Sequence, residues 1–523
     1  MVNTNRILIF AVVVNLTCLC FSGQVMAYQR SNEAQLHSDY DIDSASLASL
    51  YPHPADYLWL NEQQLKEQAS HALEFIADSA NHGLNPNDYH FDLLQQLDPS
   101  LNESEARLFD LILSDGLLKL IRDISVGRLN PNVVDPEWAI PRTSFNAIAF
   151  LQRALSTDDF KASLSSLIPV PQQYLQLKAA AERYQDYVEL GGWRKIPATP
   201  ALRTGDEHTN ISAIRDRLSF EYGGINQVRP SKRDYYDKEL ERVIKQFQRR
   251  HSLITDGIIG PATIREMNVS AADRLQQINI NLERLRWLPD DLGDRYIVVN
   301  LANYRLTAIE DDEVKLDMRV IVGKTKRSTP SFSSQMTHIV LNPKWYVPNK
   351  LARMDLLPKQ QANPGYFERY NFRVFNYEDG NKTEISPDSV DWKALSKQHF
   401  PYSLVQDAGN KNALGQMKFI LPNPWKIYLH DTPSKSLFNQ SRRNFSSGCI
   451  RVEDPIALAG FSLSRNRMQP PLLDLISSNE NYSAELEQPL PVYAIYATVW
   501  LHANEVMFSP DSYQRDQRMA EYL

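Results

Sequence analysis

The spacing of apolar residues along this chain changes character once, near residue 295. Before that point they recur every three or four residues, as at Leu65, Ala69, Ala72, Leu73 and Ile76, and again at Leu108, Leu111, Ile112, Leu118 and Ile121, which predicts helices. Beyond it, Tyr296 to Leu301, Arg305 to Ile309 and Val314 to Val322 are runs rich in Val, Ile, Leu and Tyr. Glu310-Asp311-Asp312 makes a polar turn between the second and third, so these read as strands. A pattern of helical period does not settle into a sheet, and one fold class cannot cover the whole chain. The expected architecture is a multidomain α+β protein, with helices first and a β-rich domain last. A length of 523 residues, at roughly 100 to 200 per domain, agrees with about three cores.

Breakers divide the chain further. Asn85-Pro86-Asn87, Asn130-Pro131-Asn132 and Ile196-Pro197-Ala198-Thr199-Pro200 interrupt a helical scaffold expected over 28–200. A compact helical unit follows over 201–270, built on Ile211 to Leu218 and Tyr236 to Phe247. It ends in Asp256-Gly257-Ile258-Ile259-Gly260-Pro261-Ala262-Thr263, where both glycines relax the backbone and Pro261 suits the first turn of a helix ending near Met267. A helical linker spans 271–294, the β-rich domain 295–500, and a C-terminal tail 501–523. Strands resume at Met417 to Ile420, Ile427 to His430 and Val492 to Leu501. Between them an irregular insertion from about 345 to 415, with five prolines and several aromatics, is too long for a plain connection and reads as a lid or subdomain.

The formal net charge of −7 gives the molecule no basic face for phosphates, so no nucleic-acid partner is expected. After Arg6 the chain is apolar from Ile7 to Phe21, and Val25-Met26-Ala27 offers small residues at cleavage spacing. Residues 1–27 therefore read as a signal peptide, or as an inner-membrane anchor if uncleaved. Loss of that segment leaves Cys449 as one cysteine of three, in an exported protein where unpaired thiols are prone to oxidation. Such a thiol is either a buried hydrophobe or a nucleophile.

Its neighbours favour the nucleophile. The chemistry-bearing stretch is Tyr428-Leu429-His430-Asp431-Thr432, followed by Asn444-Phe445-Ser446-Ser447-Gly448-Cys449-Ile450-Arg451-Val452. A strand and a loop between His430 and Cys449 can bring imidazole and thiol face to face. A base that accepts the thiol's proton raises the thiolate population and can later protonate a leaving amine. Gly448 allows a substrate close to the backbone, whose N–H groups could hold an oxyanion. The chemistry implied is acyl transfer. His251, His338, His399 and His502 have no motif around them, and Arg442 and Arg443 fit either an anionic ligand or a solvated loop. Metal-hydrolase, paired-cysteine and phosphate-loop motifs are absent, and no cofactor is expected.

The second stretch resembles the active site of the L,D-transpeptidases, the YkuD-like family, whose motif ends in Ser/Thr-His-Gly-Cys, an apolar residue and Arg or Asn. Ser447 stands where most members carry a second histidine, as in the large periplasmic YcbB-like branch. Gly323, Thr329 and Pro330 look like the family's early glycine and Thr-Pro loop. Phe247-Gln248 and Asp256 to Thr263 resemble the peptidoglycan-binding type 1 module. The resemblance implies a YkuD-like catalytic domain with a capping insertion, in the periplasm. Its substrates would be peptidoglycan tetrapeptide stems, as donor and acceptor, with other cell-wall synthases as candidate partners. Cys449 would attack the carbonyl of the stem's third residue, release D-alanine and hold a thioester, which the side-chain amine of another stem resolves into a 3→3 cross-link. His430 would be the base, and Gly448, Ser447, Tyr428 and Arg451 would serve the oxyanion or the substrate, Arg451 by orienting a stem carboxylate. The family's pocket also implies acylation by carbapenems. An L,D-carboxypeptidase or endopeptidase using the same acyl-enzyme, and a non-catalytic peptidoglycan-binding scaffold, are the alternatives.

Overall fold

A computed structural model describes residues 42–523, apart from positions 52, 54, 55, 62, 379, 380 and 467–469. The expected leader, with Cys18 and Cys20, lies outside the described residues. Among those described, no helix is long and apolar enough to cross a membrane. The chain forms two compact units, one made of residues up to 128 together with 144–171, the other of 129–143 together with 172–523.

The first unit is built around two helices, α1 (Glu67–Asp78) and α2 (Glu103–Val126). The Asn102 side chain caps α2 by accepting from the Glu105 N–H, Glu103 and Glu105 complement the positive end of its dipole, and Gly127 at φ +83° ends it. Phe109, Ile112, Leu113, Leu117, Leu120, Ile121 and Ile124 are all buried along it. Asp110 and Ser114 on the same helix are buried too, and accept from the Trp59 backbone N–H and indole N–H at 2.8 Å each. Leu65 departs from the helical expectation: it sits exposed in the two-residue strand Gln64–Leu65, ahead of α1.

In the second unit, α3 (Asn210–Tyr222), α4 (Lys238–Arg250) and α5 (Pro261–Met267) share a core of Ile214, Leu218, Val243, Phe247, Ile264 and Met267. The Phe-Gln pair divides its work between that core and the turn. Phe247 is buried, while Gln248 accepts from Gly257 N–H at 2.9 Å and donates to Ile258 O at 2.9 Å and Asp256 Oδ1 at 3.0 Å. Gly257 uses its freedom at φ +74°, but Gly260 lies at φ −98°, where any residue fits, so only one of the two relaxes the backbone. The expected linker helix, α6 (Ala271–Arg286), begins with a reciprocal Ser270–Asp273 cap. It is more than a connection, since Arg274, Asn281, Glu283, Arg284 and Arg286 are all buried.

The β-rich part is built on one large sheet. Its strands are β1 (Arg295–Asn300), β2 (Arg305–Glu310), β3 (Glu313–Gly323), β4 (Ser331–Leu341), β9 (Met417–Ile420), β10 (Leu429–His430), β12 (Ile450–Val452) and β13 (Tyr482–Ile495). They run in the order β9-β10-β12-β3-β2-β1-β13-β4, and β4 pairs back onto β9, so this path closes on itself and leaves no long free edge. A short β11 (Asn444–Ser446) lies parallel to β3, and Trp138–Ala139 lies parallel to β4. Asp311 and Asp312, at φ +52° and +60°, form the turn of the β2–β3 hairpin.

The insertion expected to be irregular is folded. β5 (Trp345–Tyr346), β6 (Phe372–Glu378), β7 (Asn381–Ile385) and β8 (Ser403–Gln406) form their own sheet in the order β7-β6-β8-β5. Phe367, Phe372, Val374, Trp392 and Leu404 provide it with a separate core. The last segment, expected as a tail, supplies the hairpin β14 (Val499–His502) and β15 (Glu505–Phe508), and Arg515 beyond it is fully buried.

Candidate active site

The site is laid out by register. Lys418 on β9 is opposite His430 on β10, which is opposite Arg451 on β12. One position along, Phe419, Leu429 and Ile450 form a second row. Side chains of directly opposed residues share a face, and successive residues alternate. Phe419, Leu429 and Ile450 enter the core, so Lys418, His430 and Arg451 take the other face. Tyr428 and Cys449 precede the two strands at the same parity and join them there. Ile450 N–H donates to Tyr428 O at 3.1 Å, and the Tyr428 and His430 rings meet edge-on at 5.7 Å.

The turn before Cys449 is held from both sides. Gly448 has φ +122°, a conformation that penalises any side chain, although a Cβ there would meet nothing within 4 Å. The requirement is therefore the turn itself and not space. Ser446 Oγ accepts from Gly448 N–H at 3.1 Å and donates to Cys449 O. Thr329 Oγ1, fully buried, donates to Gly448 O at 2.8 Å and accepts from Gly323 N–H at 2.9 Å. The Gly323 and Thr329 loop thus reaches the Cys449 motif directly. Ser447 is exposed, and its hydroxyl accepts from Arg327 Nη1 at 3.0 Å; Arg327 also pairs with Asp355 of the insertion.

Burial governs the ionisation. It pushes the Cys449 thiol up, against the opposing pull of hydrogen bonds from the Tyr428 N–H and side chain and of the Lys418 and Arg451 charges. The Tyr428 hydroxyl is raised strongly by burial and by its closeness to Cys449, and it takes a hydrogen bond from the Trp345 side chain. Burial also holds His430 at about 3, helped by Arg451 and Lys418, so its ring is neutral near pH 7. His430 Nδ1 meets Asp431 O, which can only accept, so Nδ1 carries the proton and Nε2 the lone pair. The thiol is hydrogen-bonded to Tyr428 and not to His430. Lys418 and Arg451 are both lowered, chiefly by burial.

The fold therefore gathers Cys449, His430, Tyr428 and Arg451 on one face, with Gly448 in the turn and Ser447 at its exposed edge. Sequence reasoning missed Lys418, whose only signal was a charge at alternating position in an apolar strand, and Trp345 and Arg327, whose placement depends on the folded insertion. His251 is elsewhere, buried and stacked between Phe247 and Phe508. Arg443 is committed to backbone, donating to Gln440 O at 2.8 Å and Tyr304 O at 3.1 Å. Among the described residues, no group of three His, Cys, Asp or Glu is placed to hold a metal ion.

Known families match three stretches: residues 45–180 a scaffold domain, 207–267 a "Putative peptidoglycan binding domain", and 294–469 the L,D-transpeptidase catalytic domain. The stretch that carries Lys418, His430 and Cys449 is thus similar to an L,D-transpeptidase catalytic domain. A Haemophilus influenzae protein named "Putative L,D-transpeptidase" is 35% identical over 258 residues, or 49% of this chain. The chain spans about half the length of that relative, 50%. Among solved structures, an L,D-transpeptidase from Mycobacterium smegmatis is 14% identical over 39% of this chain and 58% of its own, with TM-score 0.20. One from Stackebrandtia nassauensis is 13% identical over 57% and 97%, with TM-score 0.23.

Proposed function

We propose that this protein is a cysteine L,D-transpeptidase that joins peptidoglycan stems by 3→3 cross-links at the cell wall, in the periplasm. The observation that carries this is Cys449, on a turn fixed by Thr329 and Ser446, with Tyr428, Lys418 and Arg451 all acting to favour its thiolate. The thiolate attacks the carbonyl of the donor's third residue, the C–N bond to D-alanine breaks, and the departing amine takes a proton. The side-chain amine of a second stem then attacks the thioester carbonyl, the C–S bond breaks, and an amide and the thiol result. His430, neutral with its lone pair on Nε2, relays the proton between thiol, leaving amine and attacking amine. The module at 207–267 supplies affinity for the polymer, and the insertion excludes water from the thioester.

The test is incubation of the full chain with disaccharide-tetrapeptide and mass spectrometry of the products. Cross-linked dimer with release of D-alanine is expected from the native chain and not from Cys449→Ala. Tripeptide alone would indicate a carboxypeptidase, and unchanged dimer formation by Cys449→Ala would refute the nucleophile.

A further inference from the structure

Around the nucleophile, two cations lack a counter-charge. Lys418 makes no hydrogen bond or ion pair among the described residues; its ammonium lies 4.1 Å from the centre of the Tyr428 ring. Arg451 has no acidic partner either, and its buried Nε has no acceptor. Among the described residues, Cys449 is the one group whose charge favours their protonated forms. Several other cations of this domain do have one: Arg319 pairs with Glu453, Arg327 with Asp355, Arg305 with Asp317 and Lys344 with Asp407. Holding two half-buried cations, one on either side of His430, without an anion is unfavourable, and an anion that arrives with a ligand relieves it.

Geometry narrows that anion to a carboxylate. Lys418 and Arg451 flank His430 in register and share the face of Cys449, so what they hold sits beside the attacked carbonyl. In a peptide, the carboxylate of the residue after that carbonyl is only about 3.5 Å away by standard bond lengths, and one further residue moves it by about 3.8 Å. Arginine and lysine together suit a carboxylate, a planar fork and a point charge.

We infer that Lys418 and Arg451 together bind the terminal carboxylate of the residue that leaves when Cys449 is acylated, and thereby select donors ending one residue beyond the attacked carbonyl. This rests on the proposed role of Cys449. Lys418 is then a specificity residue that touches the substrate.

The experiment compares thioester formation on the full chain from two donors, a tetrapeptide stem with a free C-terminal acid and the same stem as its C-terminal amide. The native chain should prefer the acid by tenfold or more, the scale of a hydrogen bond to a charged group. Lys418→Met should lower the acid rate more than the amide rate and shrink that preference about tenfold, whereas Lys418→Arg should retain it. Equal use of acid and amide by the native chain, or an unchanged ratio in Lys418→Met with both rates reduced, would overturn the inference and leave Lys418 as a stabiliser of the thiolate. Failure of the underlying reading has a different signature, an adduct on Cys449→Ala.

Discussion

Thr329 shows how much of the site depends on one hydroxyl. Fully buried, it joins Gly323 N–H to Gly448 O, and Thr329→Val would leave both groups unsatisfied at nearly constant volume. The expected cost is about 1 to 3 kcal/mol, readable by urea denaturation, with a drop in turnover because the Cys449 turn slackens. His430 makes a pH-dependent contribution. The unfolded chain takes up a proton near pH 6.5, and folded His430 refuses it until about 3. Its contribution to stability is therefore whole above 6.5 and is lost as the pH falls from there toward 3, by at most about 1.4 kcal/mol per pH unit. His430→Gln should flatten the fall in unfolding midpoint between pH 6.5 and 4.5. At this scale, Cys449, His430, Tyr428 and Arg451 could be nominated because each lies in or beside a motif. Lys418 could not, because its nearness to His430 exists only once β9 and β10 pair.

Among the elements, the strands that sequence revealed are those with an apolar run of their own, such as β1. β4, with Ser333, Ser334, Gln335, Thr337 and His338, has little; it is a strand because β13 pairs with it from Phe332 to Leu341 and β9 takes its other side. β13 was legible only from Val492, since Pro489 and Pro491 argue against a strand. A break in register between Glu485 and Leu490 accommodates Pro489, while Pro491 lies in the paired run opposite Gln335. The insertion was legible as a separate part but not as a sheet, its core being assembled from residues far apart in sequence. Its ends give a way to test it. Asn342 N–H donates to Gln416 O at 2.8 Å, and Leu341 is opposite Met417, so entry and exit already run side by side. Replacing 343–415 by a short turn should leave β4 and β9 paired. If the insertion excludes water, the folded deletion variant should shift products from dimer toward hydrolysed tripeptide on mass spectrometry. Thioester formation should fall less, through loss of the Trp345 bond to Tyr428.

Taken whole, the second unit is tied together by its last residues, although Gln514-Arg515-Asp516-Gln517-Arg518 is entirely polar and falls in the stretch expected as a tail over 501–523. Arg515 is instead fully buried, its guanidinium 4.7 Å from the centre of the Tyr496 ring and 5.2 Å from that of Tyr513. It donates to Ser331 Oγ at 2.8 Å and to Thr329 O at 3.0 Å, and pairs with Glu137 and with buried Asp135 at 3.5 Å. The strap 129–143, the start of β4 and the Thr329 clamp on Gly448 therefore meet at one guanidinium. Arg515→Met keeps much of the volume but leaves Asp135 buried with Arg518, 3.9 Å away and half exposed, as its remaining cation. Breaking such a pair typically costs 3 to 5 kcal/mol, so the unfolding temperature should fall by several degrees. Because Thr329 O loses its donor while Cys449, His430 and Lys418 are untouched, kcat should fall more than KM rises. Arg515→Lys, with the charge but not the fork, should recover part of the stability and less of the turnover. Calorimetry and steady-state kinetics on the two variants would check this, and equal turnover in both and in the native chain would mean the Thr329 clamp holds without Arg515.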